Sequence, residues 1–161
     1  MIIRAEGLAD YAAVGALIDV AFAPMAFASG TEAAIVAALR EVNAVTVGLV
    51  AEDGGRIVGQ ATFSPVTMDG RESNWHALGP IAVLPERQGQ GIGGLLIERG
   101  LSELRALGSA GCVLTGSGYY RRFGFRSAER MRVAGYPPEH FLVLPFSEEE
   151  AGVVAFHPAF G

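Results

Sequence analysis

Apolar residues recur along this chain with two alternating periods, and the changes of period divide it into elements. Met1–Arg4 reads as a short first strand. From 8 to 22, Leu8, Tyr11, Ala12, Val14, Leu17, Ile18 and Phe22 recur mostly three or four apart, which lays an apolar stripe along a helix. Thr31-Glu32 opens a second helix to about Arg40, with Ile35, Val36 and Leu39 on one side; the loop between them carries Pro24, Met25 and Phe27. The pattern then becomes strand-like. Val45–Glu52 and Arg56–Met68 read as strands joined by Asp53-Gly54-Gly55, a hairpin turn, and Asp69-Gly70 turns the chain into a strand from Trp75 to Val83. Helical spacing returns from Gly91 to Leu107, with Leu96, Ile97, Leu101 and Leu104 on the inner face. Gly111–Thr115 is a buried strand, Tyr119–Phe123 a brief helix, and Phe125–Val133 and Phe141–Phe146 two more strands. The order βααβββαβαββ predicts one α/β domain over residues 1–161, a mixed sheet with helices packed on it.

Composition narrows the function classes. The chain has 161 residues, half of them apolar, and a mean hydropathy of +0.34, high enough to require a search for a membrane span. No run reaches the roughly 18 apolar residues a spanning helix needs, and the most apolar N-terminal stretch is broken by Asp19 and Pro24. Ile2-Ile3-Arg4 is strand-like where an export leader would be basic and then apolar. The single Cys112 excludes an intramolecular disulfide, and the expected compartment is the reducing cytoplasm. Cys112 lies in an apolar run without a Cys/His motif and reads as inert core. A net charge of −5 lacks the basic surplus of a nucleic-acid binder. Arg121, Arg122, Arg126, Arg130 and Arg132 cluster locally, either as a solvated face or in part to meet a phosphorylated cofactor. His76, His140 and His157 share no ligand spacing with one another or with Cys112, so no metal is expected.

The candidate chemistry lies in Gln88-Gly89-Gln90-Gly91-Ile92-Gly93-Gly94, between a strand and a helix. Four glycines in six positions leave backbone N–H groups uncovered where a helix begins, a seat for phosphate. Gly89-x-Gly91-x-x-Gly94 also matches the dinucleotide-binding fingerprint. Against that, Leu84–Gln88 separates the strand from the glycines, and no acidic residue stands in the region about twenty positions on, Cys112–Gly116. About thirty residues after the glycines comes Tyr119-Tyr120-Arg121-Arg122-Phe123-Gly124-Phe125.

The paired motifs resemble those of the GNAT acetyltransferase superfamily, whose acyl-CoA motif Gln/Arg-x-x-Gly-x-Gly/Ala follows the fourth strand. Here it reads Gln88 to Gly93, after Leu78-Gly79-Pro80-Ile81-Ala82-Val83-Leu84-Pro85. That wording, the Tyr-Tyr-x-x-Phe-Gly-Phe stretch and the tail Gly152–Phe160 are similar to the YhbS-like subgroup, so the resemblance spans essentially the whole chain. It implies the GNAT fold, a mostly antiparallel sheet splayed at its central strands. It also implies acetyl-CoA as acyl donor, transfer of the acetyl group to a primary amine of a small molecule or protein by direct attack, and no metal.

Coenzyme A pyrophosphate would lie across Gly89, Gln90, Gly91, Ile92, Gly93 and Gly94, beside Gln88, and the pantetheine arm along Ile81, Ala82 and Val83. Gly79-Pro80 offers a reason for that strand to part from its neighbour, because proline lacks a ladder N–H and strand glycine often marks a bulge. The Val83 N–H is the candidate oxyanion donor and Tyr120, four residues before Gly124, the candidate general acid. A structural phenol is the alternative for Tyr120, and Tyr119 is expected to point elsewhere and pack.

Departures from the family pattern are specific. Many relatives carry a Glu on the fourth strand as general base, and Asn74–Ile81 has none, leaving His76, Glu72 or water. Ser117 stands where the subgroup wording usually has Asp, so the pantetheine end would rest on backbone or on Ser117. Phe22, Pro24, Met25 and Phe27, with Gly135-Tyr136-Pro137-Pro138, would wall the acceptor site; core packing or a homodimer contact are the alternatives. An acyl-CoA-binding module or sensor without turnover is the alternative to an enzyme.

Overall fold

A computed structural model describes residues 1–25 and 30–161. Its strands are β1 (Ile2–Ala5), β2 (Val47–Asp53), β3 (Arg56–Met68), β4 (Arg71–Val83), β5 (Gly111–Thr115), β6 (Arg126–Ser127), β7 (Met131–Val133), β8 (Phe141–Pro145) and β9 (Gly152–Ala155). The helices are α1 (Tyr11–Phe22), α2 (Glu32–Glu41) and α3 (Ile92–Ala106). The sheet runs β1-β2-β3-β4-β5-β8-β6, with β9 pairing both β3 and β7. Two of its pairings, β4 with β5 and β7 with β9, are parallel, and the others antiparallel. This is the mixed, mostly antiparallel α/β sheet that the period changes and the resemblance predict.

Three elements differ from expectation. β4 begins at Arg71 rather than Trp75, because Asp69 (φ 53°) and Gly70 (φ 75°) close the hairpin tightly and pairing starts at Met68 opposite Arg71. The polar residues there mark solvent exposure, which the sequence pattern confuses with a loop. The stretch predicted as one strand, Phe125–Val133, is two short strands with different partners: β6 pairs β8 and β7 pairs β9. The cause lies about twenty residues downstream. The buried carboxylate of Glu149 accepts the backbone N–H groups of Glu129, Arg130 and Met131, the first at 3.0 Å and the last at 2.7 Å, and holds the chain between β6 and β7 off the β8 ladder. The third difference is β9 itself, in the tail whose wording carried only resemblance.

Glu149 also makes the fold sensitive to acid. Burial opposes its ionisation, but the Arg130 N–H, the Arg126 guanidinium at 2.8 Å and the N–H groups of Met131 and Glu129 outweigh it and hold the carboxyl at about 2, against an ordinary 4.5. A carboxylate held below its unfolded value stabilises the fold fully above the unfolded pKa, and that stability is lost as pH falls through the folded one. Glu149→Gln is therefore expected to lower unfolding free energy at pH 7 by about 3 kcal/mol. Urea titrations of both proteins between pH 7 and pH 3 check this: the gap narrows below about pH 4.5, and a pH-independent gap refutes the electrostatic account.

The main core gathers α1, α3 and the first strands around Ile18, Phe63, Leu96, Leu104 and Leu114, and a second cluster forms around Trp75, Val113, Met131 and Val143. α1 lies over β3 and β4, and α3 over β2 and β3. The α3 contact is close because Gly100 has no Cβ: one there would stand 2.2 Å from the Phe63 ring. Such close seating holds the first turn of α3 beside the end of β4, with Ile92 buried in the core.

Candidate active site

The site begins where β4 and β5 part. They pair only through Trp75–Ala77 and Gly111–Val113. Just beyond, β4 bulges: Leu78 is opposite Phe63 but Ile81 is opposite Ala61, so Gly79 and Pro80 together face one residue of β3. Gly79 has φ 148°, which L side chains rarely adopt. The bulge is pinned from β3, where buried Gln60 donates Nε2–H to the Pro80 carbonyl (3.1 Å) and accepts from the Thr62 hydroxyl (3.1 Å).

Past the bulge, the Leu84 N–H donates to the Val58 carbonyl at 2.9 Å. In an antiparallel ladder, alternate residues face the partner strand. Ala82, opposite Gln60, thus directs its backbone at β3, whereas Ile81 and Val83 direct theirs into the gap. Of the three strand residues expected along the cofactor, two present polar backbone there. The Val83 carbonyl accepts Gln88 Nε2–H at 3.1 Å, so Gln88 ties the glycine loop to the strand end.

Gly89 (φ 75°) and Gly91 (φ 84°) bring the chain into α3, with Gly91 as its N-cap. The Leu95 N–H donates to the Gly91 carbonyl at 3.1 Å, closing the first helical turn. The N–H groups of Ile92, Gly93 and Gly94 come too early in α3 to have an acceptor within it. A Cβ on Gly91 would meet no atom within 4 Å, so the space over this helix end is open. Gln90 turns away: its Oε1 accepts from Arg87 Nε at 3.0 Å, and Arg87 bridges to Asp53 on the β2–β3 hairpin at 2.9 Å. The fit to an anion is set by this geometry, with φ values that favour glycine, open space and aligned donors at the positive end of a helix dipole.

The tyrosine segment closes the other side. Ser117 Oγ accepts the Tyr119 N–H at 3.3 Å and caps a 3-10 turn over Gly118–Phe123. The capping bond occupies a lone pair and leaves its O–H as a donor. Tyr120 is half-buried against the main core, edge-on to Phe125, and covers Gly116, where a Cβ would lie 2.8 Å from its ring. The missing side chain at the end of β5 thus seats Tyr120 where β5 leaves β4. Burial, and then the neighbouring Tyr119, push its phenol above the usual value, so it remains a proton donor at neutral pH. Tyr119 packs edge-on to Tyr120 and Phe123, as expected, but its hydroxyl is directed at the glycine loop. The residue is exposed, and the hydroxyl lies 4.0 Å from where a Gly93 Cβ would be.

The expected base candidates lie elsewhere. His76 sits in the closed part of the β4–β5 ladder, opposite Cys112, with Nδ1 and the Ser109 hydroxyl 2.7 Å apart, and burial lowers its pKa. Glu72 is exposed near the β3–β4 turn. Cys112 is fully buried, and desolvation pushes its thiol up, which keeps it protonated. Of the expected acceptor walls, Phe22 packs on the core, Tyr136 lies edge-on to Phe156 at 5.4 Å, and Phe27 lies outside the described residues. Among the described residues no group of three or more His, Cys, Asp and Glu is placed to hold a metal, and no helix is long and apolar enough to cross a membrane. Sequence reasoning missed Gln60, whose only local signal is a polar residue inside an apolar strand.

Comparison with known proteins agrees with this arrangement. Residues 45–127, just over half of the chain, match the acetyltransferase (GNAT) domain family. The chain is 38% identical over 130 residues to the uncharacterized N-acetyltransferase YhbS of Escherichia coli K12, covering 80% of this chain and 75% of that protein. A GNAT acetyltransferase from Brucella melitensis, solved in complex with acetyl-CoA, is 44% identical, with a TM-score of 0.90 over 99% of this chain and 97% of the other. Escherichia coli YhbS, solved in complex with CoA, is 33% identical with a TM-score of 0.90 over 99% and 91%. A family match across the glycine loop and the tyrosine segment, with a shared fold over nearly the full length, leads to one conclusion: the chain belongs to the GNAT acetyltransferase family.

Proposed function

We propose that the protein is an acetyl-CoA-dependent N-acetyltransferase that passes the acetyl group directly to a primary amine of a small molecule or protein within a ternary complex. The observation that carries this is the open β4 edge at Ile81 and Val83 running into a glycine-lined helix end with unpaired N–H groups. Acetyl-CoA, when bound, supplies the acyl group as an activated thioester.

The chain's own groups supply the rest. The N–H groups of Gly91 to Gly94 hold a pyrophosphate, and the Ile81 N–H and carbonyl, which face the gap, donate to and accept from the amides of an extended arm. The Val83 N–H faces the gap and stabilises negative charge developing on the acyl oxygen. Tyr120, kept neutral by burial, donates its phenolic proton to the leaving sulfur. With His76 bonded to Ser109 and Glu72 at the distant turn, the amine proton leaves to water. The lone buried Cys112 accords with a cytoplasmic enzyme.

Calorimetric titration with acetyl-CoA, CoA and NADH, followed by thiol release against a panel of amines, tests this. Binding of the first two and not of NADH, with thiol release for an amine, is expected. Binding without release from any amine favours an acyl-CoA sensor, and no binding of acetyl-CoA overturns the reading.

A further inference from the structure

The five clustered arginines are not equivalent in the fold. Arg126 pairs with buried Glu149 at 2.8 Å, Arg130 donates to the Glu149 carbonyl at 3.2 Å, and Arg121 donates to the Ser127 hydroxyl at 2.9 Å. Arg122 is placed differently. Its guanidinium carbon lies 4.1 Å from the Tyr119 ring centroid, and its Nε donates to the Tyr119 carbonyl at 3.0 Å. The stacking and the Nε bond together orient the plane, and among the described residues neither Nη group has a hydrogen-bond partner, so both can donate. The same Tyr119 places its hydroxyl against Gly93, and Phe123 lies 3.5 Å from where a Gly94 Cβ would be, so the segment carrying Arg122 is packed against the first turn of α3.

On the other side of the glycine loop, Arg87 is neutralised by Asp53 and Arg56 by Glu86. Among the described residues Arg122 makes no ion pair, in a chain whose net charge is −5. Arg121, Arg130 and Arg132 also make no ion pair among the described residues, so position beside the glycine loop, rather than charge alone, sets Arg122 apart. A planar guanidinium held by one edge and one face is suited to bidentate contact with phosphate oxygens.

We infer that Arg122, held on the Tyr119 ring, is a phosphate-binding cation at the rim of the glycine loop, contacting the nucleotide half of the cofactor. The inference rests on the acetyl-CoA reading above. Two phosphate groups of coenzyme A offer the same chemistry, the pyrophosphate and the ribose 3′-phosphate, and the test separates them.

Calorimetry of wild-type protein and Arg122→Gln is run with CoA and with dephospho-CoA, at low salt and at about 1 M, where the Debye length is about 3 Å. The variant is expected to bind CoA about tenfold more weakly at low salt, with a gap that shrinks at high salt and an unchanged melting temperature without ligand. A loss confined to CoA assigns Arg122 to the 3′-phosphate; an equal, salt-sensitive loss with both ligands assigns it to the pyrophosphate. Affinity within about twofold of wild type for both ligands, or a loss insensitive to salt, overturns the inference. Wild-type protein that binds neither ligand refutes the acetyl-CoA reading instead.

Discussion

Gly91→Glu is expected to abolish measurable cofactor binding, raising the dissociation constant of acetyl-CoA at least about a hundredfold, which corresponds to about 2.7 kcal/mol. Two effects add. Gly91 has φ 84°, where an L side chain costs about 1–2 kcal/mol, so the loop relaxes away from the geometry that aligns its N–H groups. The new carboxylate would also occupy the open space over the helix end, because a Cβ there meets no protein atom within 4 Å. Negative charge at that end suits the helix dipole, by about 0.3–1 kcal/mol, so the substitution partly offsets its own backbone cost while competing with phosphate for the same donors. Gly91→Ala carries the backbone cost without the charge and is expected to fall between the two. Calorimetric titration of the three proteins with acetyl-CoA checks this order. Wild-type affinity in Gly91→Glu would remove the glycine loop from the binding site.

Tyr120→Phe is expected to lower kcat at least tenfold, about 1.4 kcal/mol of barrier, while leaving CoA affinity nearly unchanged. The ring packs over Gly116 and edge-on to Phe125, and phenylalanine keeps both contacts, so the fold should not shift. What is lost is the hydroxyl proton. Burial holds the phenol above its usual value, and the thiol it would protonate has an ordinary pKa near 8.5. At neutral pH the phenol is therefore in the form that can donate. Steady-state kinetics at pH 7 with a competent amine, beside calorimetry with CoA, separates the two roles. Unchanged kcat eliminates Tyr120 as the acid, and equal losses in kcat and affinity make it a residue that shapes the site.

Legibility of the site from sequence varied with the range of the forces that form it. The glycine loop was readable because its information is local: Gly89 and Gly91 adopt φ angles that other residues avoid, and the missing side chains are visible in the residue names. Tyr120 was readable through its motif. Its neighbour was readable only in part: Tyr119 was expected to point elsewhere and pack, and it packs edge-on to Tyr120 and Phe123, but the cap at Ser117 starts a 3-10 turn that lays its hydroxyl against Gly93. His76 stood out as a titratable group near the site, but Ser109, thirty-three residues later, holds its imidazole in the closed part of the ladder.

By itself the sequence determined the order of most elements, since period two and period 3.6 are written into each segment. It also determined the glycine-lined start of α3, since backbone freedom belongs to the glycine itself. Tertiary structure decided which backbone groups face the gap. That depends on the bulge at Gly79–Pro80 and on buried Gln60, twenty residues before the Pro80 carbonyl it binds. Tertiary structure likewise divided Phe125–Val133 into two strands, through a Glu149 carboxylate that returns from a later loop. Such choices hinge on which polar group arrives to satisfy which backbone donor or acceptor, and distant parts of the chain supply that partner only once they have folded together.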